Sequence, residues 1–322
     1  MSVQMRILVT GGAGFIGSNV VDAFIAAGHE VAVLDSLVRG SRRKVNPSAS
    51  MFEVDVRDRI GVERVIAAFR PDVIDHHAAQ ASVPASMDDP TYDAEINLIG
   101  GLNVLRSGHD HGARKIIFSS TGGALYGDPE HIPCSEDSPI RPLSAYGTSK
   151  YCFEQYLATF HRTFGLDYTV LRYANVYGPR QDFESEEGSV IATFTSRMLL
   201  GLPVRIDWDG EQSRDLLYVS DAAAANLAVL DRGSGQVYNI GTGVEVTINQ
   251  VFKLLQGMTG YQQQPSHAPK RDGDVYKIAL DCSKAAKDLN WRAEVELDRG
   301  LRLTRDYFRD EPGLLASLGV DR

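Results

Sequence analysis

The chain has 322 residues, of which 43% are hydrophobic and 23% charged. That is material for about two packed domains, or one large α/β domain with an appendage, and it excludes an intrinsically disordered polymer. The net charge of −9 and pI near 5.4 exclude the basic stripe that binding along a nucleic acid requires.

No apolar stretch approaches the roughly 20 residues that cross a bilayer, and no signal-peptide pattern is read ahead of the first strand-like run at Met5. A cytoplasmic protein with neither membrane nor nucleic acid as partner is therefore expected. Cys134, Cys152 and Cys282 are widely separated, so neither a disulfide framework nor a Cys-x-x-Cys metal site is expected.

In chain order, strands are predicted at Arg6–Thr10, Val31–Asp35, Met51–Val54, Val73–His76 and Lys115–Phe118. Each is a nearly continuous apolar run, the mark of parallel strands covered on both faces. Amphipathic stretches with helical spacing separate them: Phe15 to Ala27 before Gly28, Arg59 to Phe69 before Pro71, and Ala94 to His109. A long helix over Ala145–Phe164 and a strand over Tyr168–Arg172 follow. The βαβ rhythm predicts an α/β fold, a Rossmann-type doubly wound parallel sheet with right-handed crossovers.

After Gly178-Pro179 the rhythm breaks into an acidic loop (Gln181 to Gly188) and helices at Ser189–Leu200, Asp221–Leu230 and Ile248–Met258. We place a boundary near residue 175. Residues 1–175 would form a dinucleotide-binding domain and 176–322 a smaller mixed α/β substrate domain, some of whose segments pack back on the first.

Thr10-Gly-Gly-Ala-Gly-Phe-Ile-Gly17 follows the first strand directly and opens the first helix. Gly11 permits a tight turn, Gly14 lets backbone approach a pyrophosphate, and Gly17 lets the helix pack on the sheet. Asp35, at the end of the second strand, would accept hydrogen bonds from adenosine ribose hydroxyls and repel a 2′-phosphate, which favours NAD. The cations of Arg42-Arg43-Lys44 weigh the other way. Asp55 is placed either to meet the adenine edge or to cap the following helix.

Tyr146 and Lys150 form the only Tyr-x-x-x-Lys in the chain and share a helix face at i, i+4. An ammonium beside a phenol would lower its pKa from about 10, leaving a base near neutral pH. Ser119-Ser120-Thr121 ends the fifth strand, where ligands of open α/β sheets bind, and would supply a hydroxyl to the reacting oxygen. His76-His77 are adjacent and lack a spaced partner, so no metal site is expected.

At this point the chain resembles a family. The glycine loop, Asp35, Asp55-Val-Arg-Asp58, His76-His-Ala-Ala-Gln80, Ser119-Ser-Thr-Gly-Gly-Ala-Leu-Tyr-Gly127 and Tyr146-Gly-Thr-Ser-Lys150 are similar to the extended short-chain dehydrogenase/reductases. Arg172-Tyr-Ala-Asn-Val-Tyr-Gly-Pro-Arg180, Arg214-Asp215, Tyr218-Val-Ser-Asp221 and Arg271-Asp-Gly-Asp274 resemble their nucleotide-sugar branch, the UDP-glucose 4-epimerase family.

The resemblance implies NAD-dependent reversible C4 epimerisation of a UDP-hexose through a 4-keto intermediate, by a homodimer built on a helical bundle. NAD would be lined by Gly11, Gly14, Phe15, Ile16, Gly17, Asp35, Asp55, Val56, Ala78, Asn97, Ser119, Tyr146, Lys150 and Tyr173. Thr121, Tyr146 and Lys150 would be catalytic. Thr121, Tyr146, Asn175, Arg214 and Arg271 would hold the UDP-sugar, the arginines suiting its diphosphate.

The Ser-Ser-Thr loop is one residue longer than the usual form, so either Thr121 or Ser120 supplies the hydroxyl, with Thr121 preferred. Gly122 and Gly123 stand where related dehydratases and decarboxylases carry acids. Ile278 lies where the family varies a residue against the sugar 2-substituent, which leaves UDP-N-acetylglucosamine and UDP-glucuronate as alternative substrates. An NAD(P)-dependent carbonyl reductase and a non-catalytic NAD-binding protein are the other readings. Phe153, Tyr156, Leu157 and Phe160 on the long helix would supply the dimer face.

Overall fold

The computed structural model describes residues 3–182, 190–270 and 273–311. β1 (Arg6–Thr10), α1 (Phe15–Ala26), β2 (Glu30–Asp35), β3 (Ser50–Glu53), α2 (Arg59–Phe69) and β4 (Val73–His76) alternate as the apolar runs predict. α3 (Val83–Asp88), α4 (Pro90–Ala94), a π-helical segment (Glu95–Gly100) and α5 (Gly101–Asp110) come next. The helix expected from Ala94 thus starts at Pro90, because Asp89 caps it through Tyr92 N at 2.9 Å and proline fits the first turn.

β5 (Lys115–Thr121) runs three residues beyond its apolar core and takes in the hydroxyl cluster. A short α6 (Gly122–Leu125), then α7 (Ala145–Phe164) and β6 (Asp167–Tyr173), complete the first half. α7 has the predicted bounds because Ser144 caps it through Gly147 N at 3.1 Å and Gly165 ends it in the left-handed conformation.

The second half holds β7 (Asn175–Tyr177), α8 (Val190–Leu199), β8 (Arg205–Asp207), β9 (Ser213–Tyr218), α9 (Val219–Ala228), β10 (Gln236–Ile240), β11 (Glu245–Thr247), α10 (Ile248–Thr259), β12 (Ser266–Ala268), α11 (Ser283–Leu289) and α12 (Leu297–Asp310). Of the acidic loop expected over Gln181 to Gly188, only Gln181 and Asp182 lie among the described residues.

Seven strands make one parallel sheet in the order β3-β2-β1-β4-β5-β6-β10. The order reverses at β1, so a crevice opens outside the carboxyl ends of β1 and β4. One face carries an apolar cluster that includes Val20, Val21 and Phe24 of α1 together with Ala222 and Ala225 of α9. The other is covered by α2, α5 and α7 through Val62, Val104, Phe153 and Leu157. A third cluster, including Phe194, Leu217's neighbours Leu216 and Tyr218, Phe252 and Leu301, belongs to the second half.

The sheet and its cover draw on both sides of residue 175. β10 pairs with β6, and α9 packs on α1. Ile278, expected near the sugar, is only 1% exposed within the first apolar cluster.

Beneath the crevice, Arg172 of β6 and Glu154 of α7 form a buried ion pair, Nη2 to Oε2 at 2.7 Å and Nε to Oε1 at 3.1 Å. Ser120 Oγ donates to the same carboxylate at 2.5 Å, and Arg172 Nη1 donates to Tyr126 OH at 3.0 Å. Arg172→Leu, which strands the buried Glu154 charge, is expected to cost about 3–5 kcal/mol of stability in urea unfolding. The double variant Arg172→Leu/Glu154→Leu should lose much less. Equal losses would show that the stranded charge is not what destabilises the single variant.

Candidate active site

α1 opens at Phe15 behind Gly14, which offers no side-chain cap, so the first-turn N–H groups stay free for an anion. Gly11 holds φ +70°, and a Cβ there would meet Ala78 N at 2.6 Å. A Cβ on Gly17 would run into the Gly11 carbonyl oxygen. Gly11 and Gly17 therefore let the turn close tightly on Ala78 and on itself, and with Gly14 they line the crevice. Asp35 is locked beside it, Oδ2 accepting from Ala13 N at 3.0 Å and Oδ1 from Leu37 N at 2.8 Å.

The crevice widens into a cavity of about 750 Å³ between the carboxyl ends of the sheet and the second half of the chain. Of the expected cofactor residues, Gly11, Gly14, Phe15, Ile16, Gly17, Asp35, Asp55, Val56, Ala78, Ser119, Tyr146, Lys150 and Tyr173 line it. Thr121, Asn175 and Arg214 line it too, while Arg271 lies outside the described residues.

Asn97 does not line it. It is 2% exposed and set behind the wall, where its amide donates to Asp93 Oδ1 at 2.9 Å and Ser149 Oγ at 3.2 Å and accepts from Gln80 N at 2.9 Å. Ile278 is not part of the lining either. The cations of Arg42-Arg43-Lys44 stand clear of it, Arg42 being paired with Glu53 at 2.5 Å.

Asp55 is not a helix cap, because Asp58 fills that position through Gly61 N at 3.0 Å. The Arg57 guanidinium grips Asp55 at 2.7 Å and holds its carboxyl below the usual carboxylate range. His76 Nδ1 contacts Thr10 Oγ1 at 2.7 Å, and burial pushes its imidazole down to about 3, so it is neutral. His77 Nε2 lies 3.0 Å from Asp75 Oδ1. Among the described residues no group of three or more His, Cys, Asp or Glu is placed to hold a metal ion.

Ser120 and Thr121 separate clearly. Ser120 is turned down to Glu154, whereas Thr121 caps α6 by accepting from Ala124 N at 3.2 Å and hydrogen-bonds the Tyr146 hydroxyl. Lys150 Nζ donates to the Ser119 carbonyl at 2.8 Å and lies over the Phe118 ring at 4.8 Å.

The expected lowering of the Tyr146 phenol by Lys150 is reversed here. Burial pushes the phenol up to about 12, and the Thr121 hydrogen bond is what draws it back. Lys150 Nζ is 5.9 Å from the tyrosine ring centre. Burial likewise brings the ammonium down to about 8, against the carboxylates of Asp93 and Glu154.

At the far end of the cavity, burial lowers the Arg214 guanidinium, and Nη1 donates to Ser213 O at 2.8 Å. Asn175 lies across from α6, its Oδ1 3.1 Å from where a Cβ on Gly123 would stand. A Cβ on Gly122 would meet Leu280 Cδ1 at 2.5 Å.

A family model described as the NAD dependent epimerase/dehydratase family matches residues 7–241. The chain belongs to that family. A putative UDP-glucose 4-epimerase of Methanocaldococcus jannaschii is 40% identical over 94% of this chain and 98% of its own. A crystal structure of UDP-glucose 4-epimerase with UDP-glucose, from Thermotoga maritima, superposes with TM-score 0.93 at 49% identity, covering 95% of this chain and 99% of that one. The Thermus thermophilus UDP-glucose 4-epimerase complex with NAD gives TM-score 0.91 at 44% identity, covering 95% of this chain and 100% of that one.

NAD is thus the cofactor, and the site fits it: a glycine turn packed too tightly on its own backbone and on Ala78 to admit a Cβ at Gly11 or Gly17, a helix N-terminus with no side-chain cap for the pyrophosphate, and a carboxylate fixed where the ribose would lie. Sequence reasoning missed Gln80, Asp93 and Ser149. Asp93 carried one signal, its place four residues before Asn97 on a helical stretch. Gly17→Ala is expected to weaken NAD binding to cofactor-stripped protein about tenfold or more, which is about 1.4 kcal/mol in calorimetric titration. Unchanged affinity would show that the glycine turn is not the cradle.

Proposed function

We propose that the chain interconverts the C4 epimers of a UDP-hexose, UDP-glucose and UDP-galactose, through a 4-keto sugar. The observation that carries this is the convergence of Thr121, Tyr146 and Lys150 in one cavity with Asn175 and Arg214. Tyr146 takes the C4-hydroxyl proton and gives it back to the same oxygen after the 4-keto sugar has turned its other face inward. Thr121, hydrogen-bonded to the same phenol, holds the sugar oxygen in line. Bound NAD supplies the hydride acceptor and donor at C4, and its oxidised nicotinamide adds a positive charge that favours the phenolate.

Asn175, Arg214 and Arg271 grip the diphosphate, so the hexose turns over while the nucleotide stays fixed. Elimination is disfavoured because Gly122 and Gly123 carry no acid, and the space beside them is taken by Leu280 and Asn175. The division of labour we infer is NAD on residues 1–175 and the UDP end on 176–322, with Asn175 at the boundary serving the diphosphate.

The finer assignments are a cytoplasmic homodimer. Cys134, Cys152 and Cys282 are all free, as in a reducing compartment, and among the described residues no helix is long and apolar enough to cross a membrane. On the dimer face Phe153 and Leu157 are spent in the core, whereas Ile99, Tyr156 and Phe164 stay exposed on the π-helical segment and α7, apolar surface that a helical bundle between copies would cover.

Purified protein incubated separately with UDP-glucose, UDP-N-acetylglucosamine and UDP-glucuronate should give the C4 epimer of UDP-glucose by NMR, without net NADH consumption. Tyr146→Phe should lower turnover about 10²–10⁴-fold with the fold intact by circular dichroism. Near-normal turnover in that variant, or carbonyl reduction with net NADH loss, would overturn the reading.

A further inference from the structure

Ser36, Val38, Arg39 and Gly40 line the cavity from the loop that leaves β2 beside Asp35. The loop folds back on that carboxylate so closely that a Cβ on Gly40 would meet Asp35 Oδ1 at 2.7 Å. A loop so placed governs how readily a bound cofactor leaves. Leu37 N fastens its near end to Asp35 Oδ1 at 2.8 Å, and Ser41 N fastens it farther on to Ala13 O at 3.0 Å. Both fastenings lie within the cofactor side of the crevice.

A third comes from the other half of the chain. Arg180 follows β7, the strand of Asn175, and reaches across to α1. Its Nη2 donates to Asp22 Oδ2 at 2.6 Å, and its Nη1 to Ser18 O at 3.1 Å and Lys44 O at 3.4 Å. Asn46 Nδ2 donates to the other Asp22 oxygen at 2.8 Å, so helix, loop and far segment meet at one ion pair. A guanidinium fork can serve these acceptors together, which a single ammonium cannot do in the same geometry.

Two further observations set Arg180 apart from an ordinary surface ion pair. It holds φ +70°, a left-handed backbone that glycine adopts freely and other residues adopt at a cost, so the side chain must offset what the turn loses by not being glycine. The pair is also partly open to water, Arg180 being 28% and Asp22 34% exposed, and such pairs add little to global stability. The guanidinium therefore matters for where it holds the loop.

We propose that Arg180 is a positioning residue for the cofactor: from the second half of the chain it clamps residues 36–46 to α1 and so slows the release of NAD. This goes beyond the reaction proposed above, and it rests on NAD as the cofactor rather than on which sugar is turned over.

The test is exchange of bound NAD for isotopically labelled NAD in the holoenzyme, followed by mass spectrometry, with calorimetric titration of UDP alongside. Arg180→Gly removes the guanidinium from a backbone that suits glycine. It should speed exchange about tenfold or more, as expected for lost hydrogen bonds to a charged group, while the Kd for UDP stays within about twofold. Asp22→Asn keeps an oxygen for Asn46 but takes the charge from Arg180, and it should speed exchange in the same direction. Arg42→Ala removes a cation of the same loop that pairs with Glu53 instead, and it should leave exchange in place.

Unchanged exchange in Arg180→Gly would overturn the proposal. So would a UDP affinity that falls in step with NAD retention, the sign of a general loosening, or an equal acceleration in Arg42→Ala, the sign of lost charge alone. If Arg180→Gly does not fold, Asp22→Asn decides by the same reading. Should no UDP-sugar be turned over at all, the exchange rate of NAD still reads the clamp, so the two failures are told apart.

Discussion

A lysine ammonium only 3% exposed at the edge of a parallel sheet needs partners within the protein beside the cavity it lines. Lys150 finds the Ser119 carbonyl and the Phe118 ring, and the site is arranged around those two. The carbonyl comes from Ser119 because β5 continues past its apolar residues to Thr121. The aromatic face is Phe118, packed edge-on against Phe153 with ring centres 4.7 Å apart. Since α7 carries Lys150, Phe153 and Glu154 within five residues, its packing on the sheet and its charge pairing are set by the same helix.

The period of a strand then sorts the hydroxyls. Phe118 and Ser120 share the face that α7 covers, so the Ser120 hydroxyl is drawn down to Glu154 and becomes part of the support. Thr121, one residue on, stands where β5 gives way to α6 and meets Tyr146 instead. One step along the backbone separates a buried structural hydroxyl from one that shares the cavity with the phenol. The buried pair of Arg172 and Glu154 matters here mainly as a device for placing Ser120 and sparing Thr121.

The first half of the fold was legible because parallel strands covered on both faces leave continuous apolar runs, and α2 and α7 fall within their predicted bounds. The cradle at Gly11–Gly17 and the pair Tyr146/Lys150 were legible for the same reason: a local spacing carries each one. What was not legible depends on long-range packing. The return of β10 to the main sheet is written in no local pattern. α12 escaped notice because only Gly300, Leu301, Thr304 and Phe308 of its 14 residues are buried, too thin an apolar stripe among so many charges. Asn97 was assigned to the cofactor from its motif, yet the π-helical turn sets it behind the wall. The direction of the Tyr146 shift was misjudged because spacing reveals the neighbour and not the burial.

The narrowness of the chemistry follows from sterics as much as from the residues that act. Gly122 and Gly123 sit at the start of α6, directly after Thr121, the place from which an acid would reach the sugar beyond C4. Leu280 fills the space at Gly122 and Asn175 the space at Gly123. A side chain at Gly122 would have to displace a core leucine, and one at Gly123 would press on the Asn175 amide. Under the proposed reading, a proton shuttle at one oxygen is what the packing leaves room for, and the same packing holds Thr121 against Tyr146 to perform it.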